Sequence, residues 1–330
     1  ELVGKEVMAV SENASVVENT SIIESKRGYK NEGKCEKTAI IEMAGAAGIT
    51  LVPPELLNPI NTTTYGVGRL ILAAAESGVE KIIVGLGGSS TNDGGCGAAA
   101  AFGIKFYDKD GKEFVPTGGT TADIAKIDLS GRAKVLDQVE IVTMCDIDNP
   151  MYGPTGASYI FGPQKGADEA MVGELDAGIK NLSRVIAEAT GEDISQVPGT
   201  GAAGAMGAGM IAFFGSRLQM GIQTVLDTVN FDEMIKDADY IITGEGKLDS
   251  QSLRGKVVIG IAERAKKQNK NVIAVVGGAD DSEIDKAYEM GVTAVFPINR
   301  LPQDFSISRH HSKENLGYTV DNILRLLAAK

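Results

Sequence analysis

Apolar positions along the 330-residue chain follow two rhythms. Short runs rich in β-branched residues, bounded by Gly, Asp or Asn, predict buried strands at 38–43 (TAIIEM), 82–84, 139–144, 240–242, 271–276 and 293–298. Between them, apolar residues recur at helical spacing over 65–77, 168–190, 257–267, 285–290 and 313–329. In the long 168–190 segment Met171, Leu175, Ile179, Leu182 and Ile186 share one side, which reads as core packing. Residues 104–114 predict a hairpin turning at 108–111, and a short helix is expected near 121–126. Patterning is weakest over 1–34, where 5–10 (KEVMAV) suits a strand and 26–34 an exposed turn. From residue 238 onward strands and helices alternate, which implies a parallel sheet with ligands at the carboxyl ends of its strands.

The stretch 81–102, KIIVGLGGSSTNDGGCGAAAAF, stands out from this background. A strand runs into glycines interleaved with Ser, Thr, Asn and Asp, and an alanine run then favours a helix. Glycines let backbone approach an anion, and bare N–H groups can donate to its oxygens. A loop this polar and flexible is therefore expected to hold a ligand rather than only to turn the chain. No Gly-Lys-Ser/Thr follows at the spacing of a Walker A loop, and the spacing is not the usual dinucleotide fingerprint.

Other loops carry candidate chemistry. Thr62, Thr63 and Thr64 precede a helix, where hydroxyls can cap the helix or face an anion. Asp146 and Asp148 follow a strand end, where carboxylates can hold Mg²⁺, take a proton or cap a turn. Lys165 sits between Gly and Pro residues, with little freedom and an aim toward phosphate. The segment 198–209, PGTGAAGAMGAG, suits close helix packing or a ligand lying across the backbone. His310 and His311 read as surface residues.

Composition narrows the classes. A net charge of −12 argues against nucleic acid as partner, and any anionic ligand must be met by local cations and amides. Cys35, Cys96 and Cys145 are odd in number and widely spaced, which fits a reducing, cytoplasmic setting rather than a disulfide scaffold. No apolar run approaches a membrane span, and no signal peptide is evident.

Taken together the loops resemble the type I glycerate kinases of bacteria. GGSSTNDGGCG (87–97), CDIDNPMYGPTGAS (145–158), FGPQKGA (161–167), GTGAAGAMGAG (199–209), ITGEGKLDSQSLRGK (242–256), IEMA (41–44) and TTTYGVG (62–68) match that family's motifs in its order. The family's N-terminal PDSFK and ADGGEGT motifs do not occur here, so a preceding segment is expected to be missing from this sequence. The resemblance implies an α/β fold of two domains with a cleft between them: a flavodoxin-like, doubly wound domain and an inserted mixed α/β domain. On this chain that places an N-terminal segment at 1–35, the inserted domain at 36–200 and flavodoxin-like βαβ structure at 201–330.

The activity implied is ATP-dependent phosphorylation of D-glycerate at its 2-hydroxyl. Such transfer needs positioning, charge neutralisation and a proton acceptor. Backbone at Gly87, Gly88, Ser89, Thr91, Asn92, Gly94 and Gly95, with Lys256, is expected to bind ATP. Mg²⁺ is expected at Asp93 and Asp146, the proton acceptor at Asp249 or Asp93, and phosphate neutralisation at Lys165. Thr63, Thr64, Asp146, Asn149, Glu245, Gln251 and Arg254 are the expected substrate contacts. The oligomeric state stays open, a homo-oligomer included. A non-catalytic nucleotide-binding remnant is the rival reading. A nicotinamide dehydrogenase is disfavoured by the missing GxGxxG and its acidic partner.

Overall fold

The computed structural model describes residues 3–11, 14–26, 35–250 and 252–329. The chain divides into two compact units, Glu1–Gln219 and Met220–Lys330.

The first unit is built on a mixed sheet of order β1-β2-β3-β4-β8-β9. Its strands are β1 (Val3–Ser11), β2 (Ala14–Lys26), β3 (Cys35–Glu42), β4 (Lys81–Gly85), β8 (Glu140–Met144) and β9 (Arg217–Gln219). β1, β2 and β3 pair antiparallel, whereas β3, β4, β8 and β9 run parallel. Ala39, Ile41, Ile82, Val84 and Ile141 are buried with helices Tyr65–Glu76, Cys96–Ala101, Glu169–Thr190 and Ala202–Phe214 in one core. A side sheet of order β6-β5-β7 joins β5 (Lys105–Tyr107), β6 (Glu113–Phe114) and β7 (Lys126–Asp128).

The second unit carries β10 (Tyr240–Glu245), β11 (Asn271–Val276) and β12 (Ala294–Pro297), parallel and in that order. Helices cover both faces. Val272, Ala274 and Val276 pack with Val258, Ile259 and Ala262 of helix Val257–Lys266, while Ile273 and Val275 pack with Ile323 of helix Ser312–Ala328. The expected α/β class with parallel sheets is what the chain adopts. No described helix is long and apolar enough to cross a membrane.

Most predicted elements appear within a few residues of their expected ends, because period-2 and period-3.6 patterns report burial directly. Three differ. Residues 14–26 form β2, held by pairing on both sides rather than by a local pattern. The short helix near 121–126 is a 3₁₀ turn at Gly118–Asp123, followed by β7. Residues 217–219, which carry no predicted element, form the edge strand β9.

Candidate active site

In the first unit, β4 ends at Gly85 and β8 at Met144, and a cavity of about 470 Å³ opens beyond these carboxyl ends. Gly87, Gly88, Ser89, Asp146 and Lys165 line it, so five of the sequence-predicted site residues come together there. The glycine loop is tied down beside it: Ile49 N–H donates to Gly88 O at 2.8 Å, and Ser90 N–H donates to Ala47 O at 2.9 Å. Gly88 has φ +73°, a left-handed conformation that favours glycine, and a Cβ at Gly87 would meet nothing within 4 Å. Backbone at Gly87 is therefore presented to open space.

The second half of the glycine loop is not open to a ligand. Gly94 N–H donates to Gly204 O, Gly95 N–H to Asp93 Oδ1, Cys96 N–H to Asp93 O and Gly97 N–H to Asp93 Oδ2. The expectation that Gly94 and Gly95 cradle phosphate is thus corrected: their amides are spent on Gly204 O and Asp93 Oδ1. The same is true of the threonines. Asp93 Oδ2 accepts from Thr64 N–H at 2.7 Å, Thr64 Oγ1 at 2.9 Å and Thr63 Oγ1 at 3.2 Å, and Thr64 Oγ1 in turn accepts from Ala98 N–H. Thr63 and Thr64 brace Asp93, and neither side chain caps the helix that follows.

Asp93 itself is fully enclosed, with five donors on its two oxygens. Burial raises its carboxyl above the ordinary value, while the hydrogen bonds from Thr64, Gly95 and Gly97 pull the other way. A carboxylate so occupied has no face for a cation or a substrate hydroxyl. Its expected roles as metal ligand and base give way to that of an anchor joining the glycine loop to the Thr62–Thr64 segment.

Lys165 is 1% exposed. Its Nζ donates to Thr91 O at 2.6 Å, and burial lowers its ammonium to about 7, with the Asp93 charge opposing that shift. Thr91 Oγ1 and Asn92 Oδ1 are buried without a hydrogen-bond partner among the described residues, while Asn92 Nδ2 donates to Ser158 Oγ. Asn149 Nδ2 donates to Thr155 O and does not line the cavity. Sequence reasoning passed over Ile49, Phe161, Gln164, Ala202 and Ala203 as lining residues. The last four lie inside the motifs 161–167 and 199–209, which were the available signal.

The cavity wall offers an Mg²⁺ ion one carboxylate, Asp146. Among the described residues no three His, Cys, Asp or Glu side chains gather as a cage. Asp146, exposed at the cavity wall, suits a cation that arrives with phosphate oxygens and keeps much of its water.

The second unit holds its own loop beyond β10. Glu245 ends the strand, half-buried, with Oε1 enclosed and unpartnered among the described residues. Burial raises its carboxyl, the nearby Asp249 charge adds to that, and the Ser252 hydroxyl and Lys256 charge oppose it. Asp249 Oδ1 accepts from Ser252 N–H, and Asp249 N–H donates to Ser252 Oγ, a reciprocal turn clasp. Arg254 and Lys256 are exposed. Gln251, an expected substrate contact, lies outside the described residues.

A family model described as the glycerate kinase family matches residues 5–328. A glycerate kinase of Bacillus cereus is 45% identical over 91% of this chain and 78% of its own length. A glycerate 2-kinase of Escherichia coli is 47% identical over 82% of this chain and 70% of its own. The crystal structure of a protein assigned as glycerate kinase 2 from Salmonella typhimurium LT2 superposes with a TM-score of 0.79, at 36% identity, covering 99% of this chain and 83% of that one.

Proposed function

The chain belongs to the glycerate kinase family, and from that premise we propose that it transfers the γ-phosphoryl group of ATP to the 2-hydroxyl of D-glycerate, giving 2-phosphoglycerate. The observation that carries the reading is the first unit's cavity, where exposed backbone at Gly87 and Gly88 and the enclosed Lys165 share one wall set. Neither feature serves folding well. An ammonium kept out of water costs stability, and glycine backbone left facing space adds none. An anion in the cavity repays both.

In this reading the amides of Gly87, Gly88 and Ser89 donate to phosphate oxygens, and Lys165 meets the same charge. Asp93 holds the loop in place through Thr63 and Thr64. Asp146 is the carboxylate for Mg²⁺, which when bound supplies neutralisation of the phosphate charge. The acceptor hydroxyl must lose a proton to a carboxylate as the new P–O bond forms. Enclosure removes Asp93 from that choice; Asp249, the other expected acceptor, belongs to the second unit's loop beyond β10. Arg254 and Lys256, exposed in that same loop, are the basic groups proposed to meet the substrate's carboxylate or a phosphate.

Incubation with ATP, Mg²⁺ and D-glycerate, with the product read by ³¹P and ¹H NMR, tests the reading. The phosphorus is expected to couple to the proton on C2. Phosphate on C3, or ADP release that ignores glycerate, overturns it.

A further inference from the structure

Two enclosed side-chain oxygens of the first unit, Thr91 Oγ1 and Asn92 Oδ1, have no hydrogen-bond partner among the described residues, and they sit on consecutive residues of the glycine loop. Asn92 Nδ2 donates to Ser158 Oγ at 3.1 Å, which leaves the amide oxygen as the open end of that side chain. The backbone beneath the pair is fixed. The neighbouring Asp93 takes five donors, and a Cβ at Gly204 would stand 2.0 Å from Thr91 O and 2.5 Å from Asn92 Cα. Lys165 connects the pair to the cavity: it lines the wall, and its Nζ donates to Thr91 O at 2.6 Å. The loop thus holds two orphan acceptors on a rigid base, beside the ammonium that meets phosphate in the reading above.

An unpartnered buried acceptor is costly in a folded protein, and a donor brought by a ligand is its natural relief. Ionised phosphate oxygens accept and cannot donate, so the phosphates of ATP give this pair nothing. A hydroxyl can donate. D-glycerate brings two: the 2-hydroxyl loses its proton in the transfer, whereas the 3-hydroxyl keeps its own. A substrate whose 2-oxygen approaches a phosphorus held at Lys165 carries the 3-hydroxyl one carbon away. We propose that Thr91 and Asn92 read this non-reacting hydroxyl, and so make the protein selective for a 2,3-dihydroxy acid over a simple 2-hydroxy acid. The inference rests on the glycerate kinase reading above. Asn92 Oδ1 accepts from the 3-hydroxyl, and Thr91 Oγ1 can either donate to that oxygen or accept from it. Because the pair is enclosed, the Lys165 head is the group that gives way, drawn from Thr91 O toward phosphate. An acid that lacks the 3-hydroxyl leaves the pair unpaired in the occupied site, and that is the penalty by which it is rejected.

The test compares D-glycerate with D-lactate, which keeps the carboxylate and the 2-hydroxyl and lacks only the 3-hydroxyl. Transfer of labelled phosphate from ATP is measured for the wild-type chain, Thr91→Val and Asn92→Leu, each close in shape to the residue replaced. The wild-type kcat/KM for D-lactate is expected to be lower by about 100-fold or more. Both variants should lose about 10-fold or more in kcat/KM for D-glycerate and stay within about threefold of wild type for D-lactate, so that selectivity collapses. A purely structural role would lower both acids alike. The inference falls if wild type discriminates less than about 100-fold, or if the variants keep its selectivity. Should Asn92→Leu fail to fold, Thr91→Val and the wild-type comparison still decide. Wild-type protein that leaves D-glycerate untouched, or that phosphorylates it on C3, would instead sink the underlying reading and the inference with it.

Discussion

Lys165 shows what a single buried charge does to both stability and ligand affinity. Its ammonium is held at about 7, against 10.5 for an ordinary lysine. The fold therefore prefers the neutral amine. Below pH 7 the buried charge penalises folding in full; between about 7 and 10.5 the unfolded chain binds a proton that the folded one has released, so this group's penalty is relieved as pH rises. Anion binding has the reverse preference. ATP affinity is expected to fall as pH rises above 7, by up to about tenfold per unit, with proton uptake seen calorimetrically in buffers of different ionisation heat. Lys165→Met should remove that slope, weaken ATP binding about 10- to 100-fold, and hold or raise the Tm at pH 6. Asp93→Asn is expected to cost roughly 3–5 kcal/mol in urea unfolding, because an amide cannot accept from all five donors and sets its own N–H groups against some of them. The positions of Lys165 and Asp93 were legible in the sequence, since glycine and proline around a lone charge mark a fixed loop. Their states were not. Enclosure is a tertiary fact, and it turned a proposed metal ligand into an anchor.

At the scale of elements, periodic stretches were legible and tertiary ones were not. Helix Val257–Lys266 and strand β11 follow from local pattern alone. The segment 199–209 did not, and two readings stood open. The structure packs Gly204 tightly and sets Ala202 and Ala203 on the cavity wall. Ala203, Gly204 and Ala205 take left-handed conformations at φ 55°, 69° and 63°, and the chain then continues as a right-handed helix to Phe214. For alanine that conformation costs about 1 kcal/mol each, so the surroundings must impose it. Gly204 shows how: a Cβ there would stand 2.0 Å from Thr91 O, the same carbonyl that receives Lys165 Nζ. Gly94 N–H closes the contact onto Gly204 O. Gly204→Ala should therefore push the Thr91 carbonyl away and disturb Lys165, raising the KM for ATP. Equal KM values for Gly204→Ala and wild type would refute the link.

The molecule as a whole carries two kinds of core. Residues of the first unit, from Ala39 to Phe214, make one large cluster around the parallel half of its sheet. The second unit buries its three-stranded sheet on both faces, under Val258, Ile259 and Ala262 on one side and Ile323 on the other. Chains with separate cores need not unfold as one body. We expect calorimetry to resolve two transitions. Ile259 is wholly buried in the second unit, and Ile259→Ala should cost about 2–5 kcal/mol there, lowering one transition by several degrees. The matching change in the first unit, Ile82→Ala, should lower the other, because Ile82 is equally enclosed in a different cluster. ATP offers an independent label, since a ligand raises only the transition of the structure that binds it. The transition that Ile82→Ala lowers is the one ATP should raise if the Gly87–Ser89 cavity takes its phosphates. A single transition displaced equally by both substitutions would show that the units fold cooperatively, and ATP protection confined to the transition marked by Ile259 would move the nucleotide site to the loop beyond β10.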